Sequence, residues 1–144
     1  MVKLLLDEPD SRLAAQLLAD AAIAGETLVA PPLLPVELSN ILRQRVRSSL
    51  LTAAEAARRI IGFNALPVVI GPATDFALRS LTTNALALAN EHNLGATYDA
   101  HYIALAQMYG CELWTADERL VNQLAGRLPF VRLLADYPSP PADD

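Results

Sequence analysis

"LGATYDAHYIALAQMYGCELWTADERL" occupies Leu94–Leu120, and its reading decides the fold. From Tyr98 to Tyr109 the pattern is helical, and Gly110 supplies a stop. "CELWT" (Cys111–Thr115) reads as a strand, and Glu118 to Ala125 as a short helix. Two aspartates mark the joints of this helix–strand–helix unit. Asp99 stands at the start of the first helix, and Asp117 stands just past the strand. A helix of about ten residues advances roughly 15 Å at ~1.5 Å per residue. A strand of four to five residues returns about the same distance at ~3.3 Å per residue. The two legs cancel, so both acids are expected at the carboxyl end of the strands, where open α/β sheets place their ligands.

Outward from that unit, strands and helices alternate. Asp10 or Ser11 can cap a helix running to about Ala24, with Gly25 ending it. "TLVA" (Thr27–Ala30) is a β-rich run. "PPLLPVELSNILRQRVRSS" follows with prolines in its first turn and Leu34, Leu38, Ile41 and Leu42 at helical spacing. "TAAE" (Thr52–Glu55) has the form of a capping box and opens a helix to about Leu66. "PVVIGP" (Pro67–Pro72) is a bounded β-branched run. A helical pattern from about Thr74 to Asn93 is expected to break near Thr82–Thr83, with Gly95 after its end. "FVRLL" (Phe130–Leu134) is a last strand. The alternation predicts an α/β layer with a short parallel sheet flanked by helices. One domain over residues 1–136 is expected, followed by a proline- and acid-rich tail, 137–144, expected to be disordered.

Composition narrows the function. A chain of 144 residues with 53% apolar content is long enough for one well-buried core. No apolar run reaches the ~18 residues of a membrane span, and no secretory signal is evident, so a cytoplasmic protein is expected. The single cysteine, Cys111, excludes an internal disulfide and a cysteine-rich metal site. A net charge of −5 argues against coating nucleic acid by bulk charge, but leaves open an enzyme that holds one phosphate through a metal.

Glu37 is a third candidate acid, in the first turns of the helix after "TLVA" and so also beyond a strand's carboxyl end. Three carboxylates at one edge would repel one another unless a cation sat between them. Oxygen donors without cysteine or paired histidines favour Mg²⁺ or Mn²⁺ over zinc. A divalent ion so held is common apparatus for phosphodiester hydrolysis. Spacing alone leaves a plainer alternative open. Asp99 and Asp117 could each simply cap a helix, and Glu37 could be a first-turn acid favoured by the helix dipole.

"VKLLLDEPDS" (Val2–Ser11), "PVELSNIL" (Pro35–Leu42), "TYDAHYIALAQMYGCELWTADERL" (Thr97–Leu120) and "FVRLL" follow one another in an order and spacing that resembles PIN-domain proteins, most of all VapC-type toxins of toxin–antitoxin pairs. The resemblance covers Val2 to about Asp136 and implies a PIN-like three-layer sandwich. It implies that Glu37, Asp99 and Asp117 bind Mg²⁺ or Mn²⁺ and that the metal activates water to cut RNA. Asn40 and Thr115 match polar positions that assist nearby. It further implies a homodimer and a cognate antitoxin that inhibits the nuclease. The family begins with a short central strand ending in an aspartate, ahead of the position of "VK". That strand and its acid are expected to be missing from the 144-residue chain, which would leave a gapped sheet and a weakened site. Either the natural start lies upstream or the chain is a degenerate member that only binds protein; the intact later motifs favour the first.

Other residues carry less. Arg43, Arg45 and Arg47 could meet RNA phosphates or an acidic antitoxin segment, or form a solvated face. His101 lies about 200° around the helix from Asp99 and points away from it. Trp114 reads as core, Tyr98 and Tyr102 as packing residues, and Cys111 as a small buried hydrophobe.

Overall fold

A computed structural model describes residues 10–138, so most of "VKLLLDEPDS" and the tail beyond Pro138 lie outside the described residues. Within them the order is α1 (Ser11–Ala24), β1 (Leu28–Ala30), α2 (Leu34–Arg47), α3 (Ala53–Asn64), β2 (Val68–Ile70), α4 (Asp75–Glu91), α5 (Thr97–Tyr109), β3 (Leu113–Thr115), α6 (Glu118–Leu124) and β4 (Val131–Leu133), closed by a 3₁₀ turn over Leu134–Asp136. The α/β alternation of the sequence is borne out. Among the described residues the strands form two parallel pairs, not one sheet. β1 pairs with β2, Leu28 opposite Val68 and Ala30 opposite Ile70. β3 pairs with β4, Leu113 opposite Val131 and Thr115 opposite Leu133. No described strand joins β1 to β3.

Each pair has its own apolar core. Leu81, Ala85, Ala100, Ile103, Leu105, Leu124 and Val131 form the larger one, between α4, α5, α6 and β4. Alanines at 85, 89, 100 and 104 bring α4 and α5 close, and Leu81 and Ile103 are fully excluded from solvent. Burying a leucine or isoleucine in this way contributes about 1.5–3 kcal/mol. Ala30, Leu34, Leu38 and Phe63 form a second core beneath β1, α2 and α3.

Local chemistry sets the element ends. Thr52 and Glu55 form the expected capping box: the Thr52 hydroxyl accepts from the Glu55 N–H, and the Glu55 carboxylate accepts from the Thr52 N–H. Gly25 and Gly110 end α1 and α5 with φ of 69° and 64°, the left-handed region that glycine enters without strain. Several expectations need correction. Asp10 precedes α1 but makes no side-chain cap bond. α4 is not broken at Thr82–Thr83; both hydroxyls turn inward to the carbonyls of Leu78 and Arg79, so the threonines stay within the helical ladder. α4 ends at Glu91 with His92 as its C-cap, just short of the expected Asn93, which takes a positive φ, and Gly95 follows the end as expected. Cys111 is exposed because it lies in the turn before β3.

The chain's last described turn is tied down. The Tyr137 hydroxyl donates to Asp20 of α1 at 2.9 Å. Its ring meets Trp114 edge-on at 4.9 Å between centroids. Trp114 is half-buried, not core, with the Arg132 guanidinium 5.0 Å from its ring centre. No helix among the described residues is long and apolar enough to cross a membrane.

Candidate active site

An open groove of about 1520 Å³ runs between the two strand pairs. β1 and β3 both line it, and Glu37, Asp99, Thr115 and Asp117 stand along it. The topology brings the acids there. Parallel strands end at one edge, and the helices that follow β1 and β3 start at that edge. α2 offers Glu37 from its first turn, α5 offers Asp99 from its first turn, and Asp117 is the N-cap of α6.

Asp99 and Asp117 line the same groove, near enough for the charge of one to act on the other. Asp99 is open to solvent on one side. Partial burial and then the negative charge of Asp117 push its carboxyl above the usual carboxylate range. Asp117 divides its oxygens between two tasks. Its Oδ1 accepts from the N–H groups of Arg119 at 2.8 Å and Leu120 at 3.2 Å, capping α6. The other oxygen is not needed by the cap. The Thr115 hydroxyl accepts from the Asp117 N–H at 3.1 Å and so fixes the turn that presents this acid.

Glu37 is half-buried and accepts a 2.6 Å hydrogen bond from the Tyr102 hydroxyl. Burial, with Glu37 and Asp99 adding to it, pushes the Tyr102 hydroxyl far up, so it stays protonated and donates. The sequence read Tyr102 only as a packing residue; its partner is 65 positions away, and no local pattern could have shown it. Asn40 is exposed on α2 and does not line the groove. Arg43 and Arg47 are exposed along the last turns of α2, and Arg45 is half-buried between them. His101 bonds back to the Thr97 carbonyl at 2.7 Å through Nδ1, away from the acids.

The donors suit a hard divalent cation. They are carboxylate oxygens, and Mg²⁺ is ordinarily held by one or two carboxylates while keeping several waters. A repelling aspartate pair gains from a cation between its members. Among the described residues, however, no three His, Cys, Asp or Glu side chains gather closely enough to enclose an ion. The Asp99–Asp117 pair therefore fits as the core of an open site, and Glu37, bonded to Tyr102, lines the same groove.

The PIN domain family model matches residues 1–125, and the chain belongs to that family. Within it the chain is VapC-like. It is 34% identical to Ribonuclease VapC12 of Mycobacterium tuberculosis, over 72% of this chain and 78% of that protein. It is 33% identical to Ribonuclease VapC9 of the same species, over 75% of this chain and 79% of that protein. A VapC ribonuclease of Mycobacterium bovis matches at the same 33%.

Proposed function

We propose that this chain is a Mg²⁺- or Mn²⁺-dependent endoribonuclease that hydrolyses RNA phosphodiester bonds as a VapC-like toxin. The observation that supports this reading is that Asp99 and Asp117, from separate elements, line one groove, with the charge of Asp117 acting on Asp99. Asp99 and Asp117 would hold the ion, with Glu37 as a third carboxylate. A bound ion of this kind supplies a water acidified toward neutrality and neutralises charge on the phosphate. Thr115 holds the Asp117 turn in place. Arg43 and Arg47, one turn apart and exposed, form a basic pair that suits RNA phosphates or an acidic antitoxin segment, with Arg45 on another side of α2. The protein works in the cytoplasm under control of a cognate antitoxin. A homodimer is supported by exposed apolar side chains, notably Phe76 at 81% and Ile61 at 66% exposure. Leu34, Leu38 and Leu42 of α2 do not contribute to that surface, because they are buried within the chain itself.

The deciding experiment incubates the purified chain with RNA and Mn²⁺, with and without chelator, beside Asp99→Asn. Cleavage that needs the metal and falls to background in Asp99→Asn supports the reading. Cleavage that persists in chelator, or in Asp99→Asn, overturns the site assignment. A second reading is a catalytically degenerate PIN domain that serves only as a protein-binding module. It is favoured by the lack of a closed three-ligand group among the described residues. It predicts no Mn²⁺ binding and no cleavage, with partner binding retained.

A further inference from the structure

Tyr102 sits across the seam of the molecule. It belongs to α5, whose buried residues feed the larger core. Its ring nevertheless packs against the smaller core of Ala30, Leu34, Leu38 and Phe63. From there its hydroxyl donates to Glu37 Oε2 at 2.6 Å, the short distance of a charge-assisted bond. A glutamate side chain has three rotatable bonds and loses much freedom when fixed, so an exposed one has no reason to hold a single direction. Glu37 has such a reason. Tyr102 follows Asp99 by one helical turn and shares its face of α5. The helix that carries Asp99 thus also reaches over to restrain the acid on α2.

We propose that Tyr102 is a positioning residue that holds the Glu37 carboxylate over the groove, facing the Asp99–Asp117 pair. The bond occupies Oε2 and leaves Oε1 for a ligand. Its role in metal binding rests on the nuclease reading above; the tether itself does not.

The test uses the whole chain and Tyr102→Phe, which keeps the ring and its packing and removes only the hydroxyl. The first readout needs no metal. With ¹³C-labelled glutamate, the Glu37 side-chain carboxyl resonance at neutral pH is expected to move in Tyr102→Phe. An unmoved resonance overturns the tether. Glu37→Leu reads the same bond from the other side, through the Tyr102 Cζ resonance, and decides the question if Tyr102→Phe folds poorly. The second readout is Mn²⁺ binding by electron paramagnetic resonance without RNA. Affinity is expected to fall on the order of tenfold in Tyr102→Phe, as for other residues that orient a ligand. In a Glu37→Leu background the same change should have no further effect. A further tenfold loss in that background would mean that Tyr102 acts by general loosening, and would overturn the proposal. A shifted Glu37 resonance in a protein that binds no Mn²⁺ upholds the tether and overturns the metal-dependent reading instead.

Discussion

Asp117 shows how one residue can satisfy two readings of a sequence. Its pattern is that of a helix cap and equally that of a ligand, and the structure assigns the cap to Oδ1 alone. Spacing names residues, not their separate oxygens, so the alternatives could not be resolved at that level. Substitutions can separate them. Asp117→Asn retains a good cap and should keep the melting temperature near wild type while abolishing metal-dependent cleavage. Asp117→Ala should lose both, with a stability cost of about 1 kcal/mol in denaturant titration. Asp99 makes a different prediction, because its carboxyl pKa is raised in the folded state. A raised carboxyl pKa means that the folded protein binds the proton more tightly than the unfolded chain. Stability therefore falls as pH climbs from the unfolded pKa through the higher folded one, and the full cost remains at neutral pH. Metal-free Asp99→Asn should accordingly melt above wild type at pH 7, with the advantage fading as pH drops through the carboxylate range. A lower melting point at pH 7 would show that the Asp99 charge is not strained.

At the scale of elements, what the sequence showed well was whatever is local. The Thr52–Glu55 box, the glycine stops at Gly25 and Gly110 and the order of helices and strands depend on neighbours a few positions apart. The errors arose where a side chain chose between two local partners. Thr82 and Thr83 were read as breakers, yet their hydroxyls bond back into α4. Strand ends were also overestimated: each strand is three residues long, because the flanking residues already turn into loops. Two caps give measurable outcomes. The Thr74 hydroxyl accepts from the Ala77 N–H at 3.2 Å at the start of α4. Thr74→Ala should cost about 1 kcal/mol, seen as a lower denaturant midpoint with an unchanged slope. In the Thr52–Glu55 box, hydrogen bonds from Thr52 hold the Glu55 carboxyl below its ordinary range. A lowered pKa contributes stability above the unfolded value that is lost as pH falls through the folded one. Wild type and Glu55→Gln should therefore differ most near neutral pH and converge in acid.

For the whole molecule, the central fact is that the described strands form two pairs. β1 and β3 each line the groove with an edge that no described strand pairs. Parallel edges on either side of a slot can accept an extended segment. An engineered N-terminal extension carrying four or five alternating β-branched residues should raise the melting temperature. The expected gain is about 2–4 °C for each net kcal/mol. A glycine–serine extension of equal length should leave it unchanged, and equal effects of the two would show that the slot does not take a strand.

The two cores beneath the strand pairs also imply how the molecule breathes. Each strand pair has its own buried cluster, linked to the other through Val29 of β1 and Tyr102 of α5, so the two are expected to open as separate, coupled units. Native-state amide hydrogen exchange should resolve two cooperative units. Leu38→Ala, at a cost of about 2–5 kcal/mol, should speed exchange in β1, α2 and α3 and leave α5 largely protected. Leu105→Ala should do the reverse, and uniform acceleration by either change would mean a single unit. Glu37 belongs to the first unit, Asp99 and Asp117 to the second, so the acids face one another only while both are closed. Any cation that bridges them would then act as a clasp, merging two opening events into one and slowing exchange on both sides of the seam together.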